Sequence, residues 1–221
     1  MMTIPNHINR SPKEIISEEG KVFYEYSGFM YRAMSWLDVA DRCGDFPAFF
    51  YACIDARLAI EHLMFEILVI CSGENFDSET YQQCVDNSRD LDKILRRTAP
   101  DYIKLQKFTN ITSSLMPDAP SVGFWDVQEL RKSWGRISHY LHWRGGTSET
   151  SDDPQWRLCA IKEVRSMIEP IWQKSRSGHI GALNIPTMPS QVREIWEDYR
   201  SDKIDDRSAK VRLDIVKTLL I

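Results

Sequence analysis

Arg136 and His142 are the residues of this chain whose types and spacing point most directly to chemistry. Five residues separate them, and His139 lies between them. Because histidine changes its charge near neutral pH, it can take the proton of a ribose 2′-hydroxyl or give one to a leaving oxygen. An arginine can stabilise the charge on the phosphate. These residues therefore predict RNA cleavage without a metal ion, with His139 as a rival of His142 for the catalytic role.

The same residues lie on one face of a predicted helix. At roughly 100° per residue, an apolar stripe would face the core. The stripe consists of Leu130, Trp134, Ile137 and Leu141. The outward face then carries Lys132, Gly135, Arg136, His139, His142 and Trp143. A solvated face rarely has this composition, because glycine lowers helix propensity by about 1 kcal/mol relative to alanine and an exposed tryptophan presents a large ring. We therefore expect a partner to dock on this face.

The segment around this face is positive, although the whole chain has a net charge of −4. Between Leu130 and Ser148 there is no acidic residue, and the basic residues are Arg131, Lys132, Arg136 and Arg144. The negative net charge argues against a protein that coats nucleic acid non-specifically, whereas the local patch can receive a phosphate-bearing partner. We expect the substrate to contact Arg131, Lys132, Trp143 and Arg144.

In-line attack on a phosphate needs a base on one side and an acid on the other, so a single His142 is not sufficient. A symmetric dimer would supply a second copy, because an isologous interface brings the same helix of both subunits together. Gly135 would allow the second helix to approach. The sequence therefore predicts a homodimer with two Arg–His sets in one cleft.

The elements that must position these residues are predicted to be helical almost throughout. The predicted helices cover residues 21–43, about 45–72, 77–97 with a break near 87–88, 101–108, about 126–144, 154–175, 191–200 and 208–220. Residues 109–124 are predicted to be mainly loop, and Pro170 is expected to kink or shorten its helix. The fold class is therefore all-α, an antiparallel bundle of about five core helices with a C-terminal helical extension.

The predicted organisation has an N-terminal segment (residues 1–20), a bundle domain (21–176) and a C-terminal extension (177–221). The extension follows a connector rich in glycine and proline at about residues 178–189. Two interpretations of it remain open. It is either a dimerisation arm or a tail that folds back onto the domain.

A second polar feature lies on the long helix at residues 45–72. Its predicted inward stripe is Phe50, Cys53, Ile54, Met64 and Leu68. Arg57 and Glu61 occupy the same angular position, and their i, i+4 spacing allows them to pair. They are either a buried ion pair that fixes the helix register or the support of a polar cleft beside the Arg–His helix.

The Arg-x5-His spacing, on a late helix of a compact all-α bundle, resembles the Arg-x(4 to 6)-His motif of the HEPN superfamily (higher eukaryotes and prokaryotes nucleotide-binding). The run Ala56-Arg-Leu-Ala-Ile-Glu-His-Leu63 also looks like the long helix of that group. The resemblance covers roughly residues 20 to 176. It implies a metal-independent endoribonuclease that cleaves single-stranded RNA as a dimer, in which Arg136 and His142 are the catalytic pair.

The same resemblance implies a toxin or phage-defence effector, with an antitoxin or another protein as a possible partner. Several branches of the superfamily have lost catalysis and serve as binding or dimerisation modules. The alternative is therefore a non-catalytic helical module that binds a protein partner or a nucleotide.

Other sequence features exclude several classes of protein. The five cysteines are scattered without a Cys-x-x-Cys pair, so neither a disulfide framework nor a zinc site is indicated. No glycine-rich phosphate loop and no metal-ligand spacing is present, so we expect no cofactor. The N-terminus lacks the pattern of a signal peptide, and no stretch approaches a membrane span. These features predict a soluble, cytoplasmic protein without a membrane partner.

Overall fold

The computed structural model of the chain describes residues 26–116, 122–142, 153–177 and 181–220. Within these ranges the protein is an all-α helical bundle, as the sequence predicted. Its helices are α1 (Tyr26–Cys43), α2 (Phe46–Ser72), α3 (Ser78–Asp86), α4 (Leu91–Thr98), α5 (Tyr102–Ser114), α6 (Val127–Leu141), α7 (Pro154–Ser177), α8 (Ser190–Arg200) and α9 (Asp206–Leu220). No helix in the described ranges is both long and apolar enough to cross a bilayer.

The chain divides into two compact units. Among the described residues, those up to 63 and those in 128–175 form the first unit, and those in 64–127 and from 176 onward form the second. The helix α2 contributes to both, because the division falls between Leu63 and Met64. The boundaries predicted at residues 20/21 and 176/177 stay predictions, and residues 1–20 lie outside the described part of the chain.

The first two helices end at residues 43 and 72, as the sequence predicted, and a glycine follows each of them. Gly44 follows α1 with φ = 65°, and Gly73 follows α2 with φ = 51°. This left-handed conformation favours glycine because a Cβ atom would crowd the backbone there. The helix α7 continues to Ser177 through Pro170, so the proline does not shorten it.

The core of the first unit uses small residues on α2. Ala52, Ala56 and Ala59 are fully buried, and their spacing places them along one side of the helix. The predicted inward stripe was wrong at Ile54, which is 44% exposed. The reason is that α2 is apolar on nearly all sides, so its largest side chains do not define the face that is buried.

The second unit contains the C-terminal helices. Leu105 and Phe108 of α5 pack with Trp196 of α8 and Leu213 of α9 in one buried cluster. The tail therefore folds back and packs against α5, which is one of the two interpretations that the sequence left open.

The helix α5 extends beyond its predicted end at residue 108. The prediction of a loop was wrong for residues 109–114, which continue the helix to Ser114. The buried hydroxyls of Thr109 and Thr112 donate to the carbonyls of Leu105 and Phe108, four residues earlier. The hydroxyls of these threonines therefore find hydrogen-bond acceptors within the helix, although threonine as a residue type suggested a loop.

Candidate functional site

The helix α6 presents the predicted face to solvent. Its buried side contains Val127, Leu130 and Ile137, whereas Trp134 and Leu141 are only half-buried. The exposed residues include Lys132, Gly135, Arg136 and His139, and His142 is exposed directly after the helix ends. The outward face predicted from the periodicity is therefore confirmed for every one of its residues that the structure describes.

Gly135 has no close neighbour on this face among the described residues. A Cβ atom built on Gly135 would meet none of their heavy atoms within 4 Å. Packing within the described part of the subunit therefore does not require a glycine here. The helix is accessible at this position to another molecule.

Glu163 of α7 holds Arg136 in place. Nε and Nη2 of Arg136 donate to Oε1 of Glu163 at 3.1 and 2.5 Å. The hydroxyl of Tyr140 donates to the other carboxylate oxygen, Oε2, at 2.8 Å. One carboxylate thus connects α7 to two residues of α6 that are a helical turn apart.

The charges of this cluster are set by these contacts. The hydrogen bond from Tyr140, followed by the hydrogen bond and charge of Arg136, lowers the pKa of Glu163, although burial opposes the shift. The positive charge that His139 can carry lowers the same pKa further. Burial, and then the hydrogen bond to Glu163, raises the pKa of Tyr140. At neutral pH Glu163 is therefore a carboxylate, and Tyr140 is a neutral hydrogen-bond donor.

Aromatic packing fixes Tyr140. Its ring meets that of Phe49 edge to face at 5.3 Å and that of Trp156 at 6.2 Å. The ring of His139 lies 6.2 Å from the ring of Tyr140, at a steep angle. Because Tyr140 is only 9% exposed, its hydroxyl is a rigid support for the carboxylate of Glu163.

Arg57 and Glu61 form the predicted pair, and they also contact α6. Nε of Arg57 donates to Oε1 of Glu61 at 3.0 Å, and the same oxygen accepts a hydrogen bond of 2.7 Å from Nε1 of Trp134. The guanidinium of Arg57 lies over the indole ring, 5.0 Å from its centroid. Trp134, which was assigned to the apolar stripe, therefore has a polar role as well.

The remaining predicted substrate residues lie in different surroundings. Arg131 and Lys132 are exposed, and Nζ of Lys132 lies 2.6 Å from Oε1 of Glu129 on the same helix. Trp143 and Arg144 lie outside the described residues. Arg136 and His139 both lie close to Glu163. His142 lies at the same end of α6, where its backbone N–H donates to the carbonyl oxygen of His139 at 3.4 Å.

The sequence interpretation missed Tyr140 and Glu163. Tyr140 could have been found, because it follows Arg136 by four residues and such residues are neighbours on a helix. Glu163 lies on another helix, 27 residues from Arg136, and no periodicity links the two. Only the packing of α7 against α6 identifies it.

No group of three or more His, Cys, Asp and Glu side chains in the described ranges is arranged to hold a metal ion. Comparison with protein-family models, with curated proteins and with solved structures finds no match. The resemblance to the HEPN superfamily therefore stays a prediction, which is based on the Arg-x5-His spacing of Arg136 and His142.

Proposed function

We propose that this protein is a metal-independent endoribonuclease of the HEPN type, which cleaves single-stranded RNA at the exposed face of α6. The observation that supports this proposal is the joint exposure of Arg136, His139 and His142 at the C-terminal end of one helix. An arginine and imidazoles at one accessible site are the groups that phosphodiester cleavage by a 2′-hydroxyl requires.

In the proposed reaction, one imidazole takes the proton of the ribose 2′-hydroxyl as its oxygen attacks the adjacent phosphorus. The bond from phosphorus to the 5′-oxygen breaks, and a protonated imidazole gives its proton to that oxygen. The products are a 2′,3′-cyclic phosphate and a 5′-hydroxyl end. Arg136 stabilises the charge on the phosphate, and His142 is the first candidate for proton transfer, with His139 as its rival.

Two copies of the chain complete the site in this proposal. The lack of close neighbours of Gly135 among the described residues supports it, since a second α6 can approach there. A two-fold axis near this glycine would place a His142 from each subunit in one cleft. One histidine would then act as the base and the other as the acid.

The proposed biological setting is that of a toxin or phage-defence effector, with an antitoxin or another protein as its regulator. The proposed location is the cytoplasm, which is supported by the scattered spacing of the five cysteines without a Cys-x-x-Cys pair, since a reducing compartment keeps thiols free.

Cleavage in the presence of EDTA tests the proposal. Purified protein is incubated with single-stranded RNA, and the wild type is compared with Arg136→Ala, His139→Ala and His142→Ala. Arg42→Ala is the matched control, because Arg42 is an exposed arginine of α1 whose Nε donates to a carbonyl four residues earlier. We expect Arg136→Ala and His142→Ala to lose activity and Arg42→Ala to keep it. Cleavage that survives all three site substitutions contradicts the proposed site.

A measurement of molar mass in solution tests the two-copy site separately. Light scattering after size-exclusion chromatography at micromolar concentration should give the mass of a dimer. A strict monomer that still cleaves RNA would contradict the composite site while leaving the ribonuclease activity in place.

The Arg136–Glu163 contact favours a second candidate, a non-catalytic helical module that binds a protein partner or a nucleotide. An arginine that donates to a carboxylate on a neighbouring helix can orient the two helices rather than act as a catalytic group. In this alternative the wild type cleaves no RNA, and substitutions on the α6 face weaken dimerisation or partner binding.

A further inference from the structure

The ion pair between Arg136 and Glu163 occupies the donors that a phosphate would use. Two nitrogens of the guanidinium, Nε and Nη2, donate to the same carboxylate oxygen. Arginine binds phosphate through the same planar set of N–H groups that it uses for carboxylates. A carboxylate and an RNA phosphate therefore cannot both have these donors.

The surroundings allow this pair to open. The side chain of Arg136 is 62% exposed and that of Glu163 is 37% exposed, and exposed ion pairs stabilise a fold only weakly. When Arg136 turns away, Glu163 still accepts the hydrogen bond from Tyr140 on its other oxygen. Because Tyr140 is buried and packed against Phe49, the Glu163 carboxylate keeps a fixed hydrogen-bond partner. Opening the pair therefore leaves neither Arg136 nor Glu163 as a buried charge without a partner.

We propose that Glu163 is an internal competitor of the RNA phosphate, which holds the guanidinium of Arg136 in the free protein and gives it up when single-stranded RNA binds. This inference rests on the proposed ribonuclease function and adds a regulation of the same site. Binding exchanges the carboxylate for a phosphate on Arg136, so the ion pair must be broken when RNA binds. Removal of the Glu163 charge therefore tightens RNA binding, whereas loss of a residue that only positioned Arg136 would weaken it.

Fluorescence anisotropy with the full chain tests the competition. The probe is a fluorescein-labelled single-stranded RNA whose 2′-hydroxyls are all methylated, so that it has no nucleophile and cannot be cleaved. We expect Glu163→Gln to bind this probe about two- to fivefold more tightly than the wild type, the size expected when an exposed ion pair no longer has to be broken. Glu169→Gln is the matched control, because it makes the same charge change six residues further along α7 and should leave the affinity unchanged.

The same variants are then compared in a protein that carries Arg136→Ala. There Glu163→Gln should bring no gain, because the guanidinium for which the two anions compete is gone. Unchanged or weaker binding by Glu163→Gln alone, or an equal gain from Glu169→Gln, overturns the competition and leaves the ribonuclease proposal in place. If neither the wild type nor any variant binds the probe, the proposed function fails and the competition fails with it.

Discussion

The hydrogen bond from Trp134 to Glu61 should make a measurable contribution to the stability of the first unit. Oε1 of Glu61 accepts from the indole nitrogen at 2.7 Å, and the Glu61 side chain is only 16% exposed. A hydrogen bond to a charged group contributes about 1.5–3 kcal/mol to the free energy of unfolding. Because Glu61 keeps Arg57 as a partner when the indole is lost, we expect the lower end of this range, about 1.5 kcal/mol.

A double-mutant cycle separates this hydrogen bond from the packing of the ring. Trp134→Phe removes the indole N–H and also some apolar area, and Glu61→Ala removes the acceptor. In the Glu61→Ala protein, Trp134→Phe should cost only the packing, so the coupling between the two substitutions measures the bond. Urea unfolding followed by far-ultraviolet circular dichroism is the suitable assay, because the substitutions change the tryptophan fluorescence. Trp36→Phe, at another half-buried tryptophan of the first unit, is the control and should show no coupling to Glu61→Ala.

A coupling below about 0.4 kcal/mol, the usual error of additivity, would refute the reasoning. A coupling near the expected value supports the interpretation of Arg57 and Glu61 as a pair that fixes the helix register. If instead these residues support a polar cleft, Arg57→Ala lowers RNA cleavage by more than its effect on stability explains.

Three further predictions, with four substitutions, test other parts of the structure. Glu163 has a lowered pKa in the folded state, so its contribution to stability is present above the unfolded pKa of about 4.3 and is lost as the pH falls through the folded pKa. Tyr140→Phe removes the main cause of this shift, so its melting temperature should fall less than that of the wild type between about pH 6 and pH 3. Thr109→Val should cost about 1–3 kcal/mol in urea unfolding, because the buried hydroxyl accepts from a backbone N–H across the second unit. Thr112→Val should cost less, because among the described residues the buried Thr112 hydroxyl bonds only to its own helix, and equal losses would contradict this account. Gly135→Ala should raise the free energy of unfolding by about 0.5–1 kcal/mol, because its Cβ meets no atom of the described residues. If a second helix packs there, the same substitution lowers dimerisation and RNA cleavage, and unchanged values of both would exclude that packing.

The part of the candidate site that lies on one helix could be predicted from the sequence. The exposure of Arg136, His139 and His142 followed from the positions of Leu130 and Ile137. Those apolar residues define the buried side of α6, and the helical period then places the other three residues on the opposite side. The pairing of Arg57 with Glu61 followed from the same local geometry. Their contact with Trp134 did not, because it depends on where another helix lies.

By itself, the sequence determined where most of the helices lie, where the first two of them end, and which side of α6 faces solvent. These properties are local, because they follow from backbone preferences and from the period of one helix. Tertiary structure decided which carboxylate meets Arg136, which side of α2 is buried, how far α5 extends, and that the C-terminal helices pack on α5. These outcomes depend on contacts between residues far apart in the chain. The hydrophobic pattern of a helix orients that helix toward a core, and it does not specify which side chains of a neighbouring helix will meet it there.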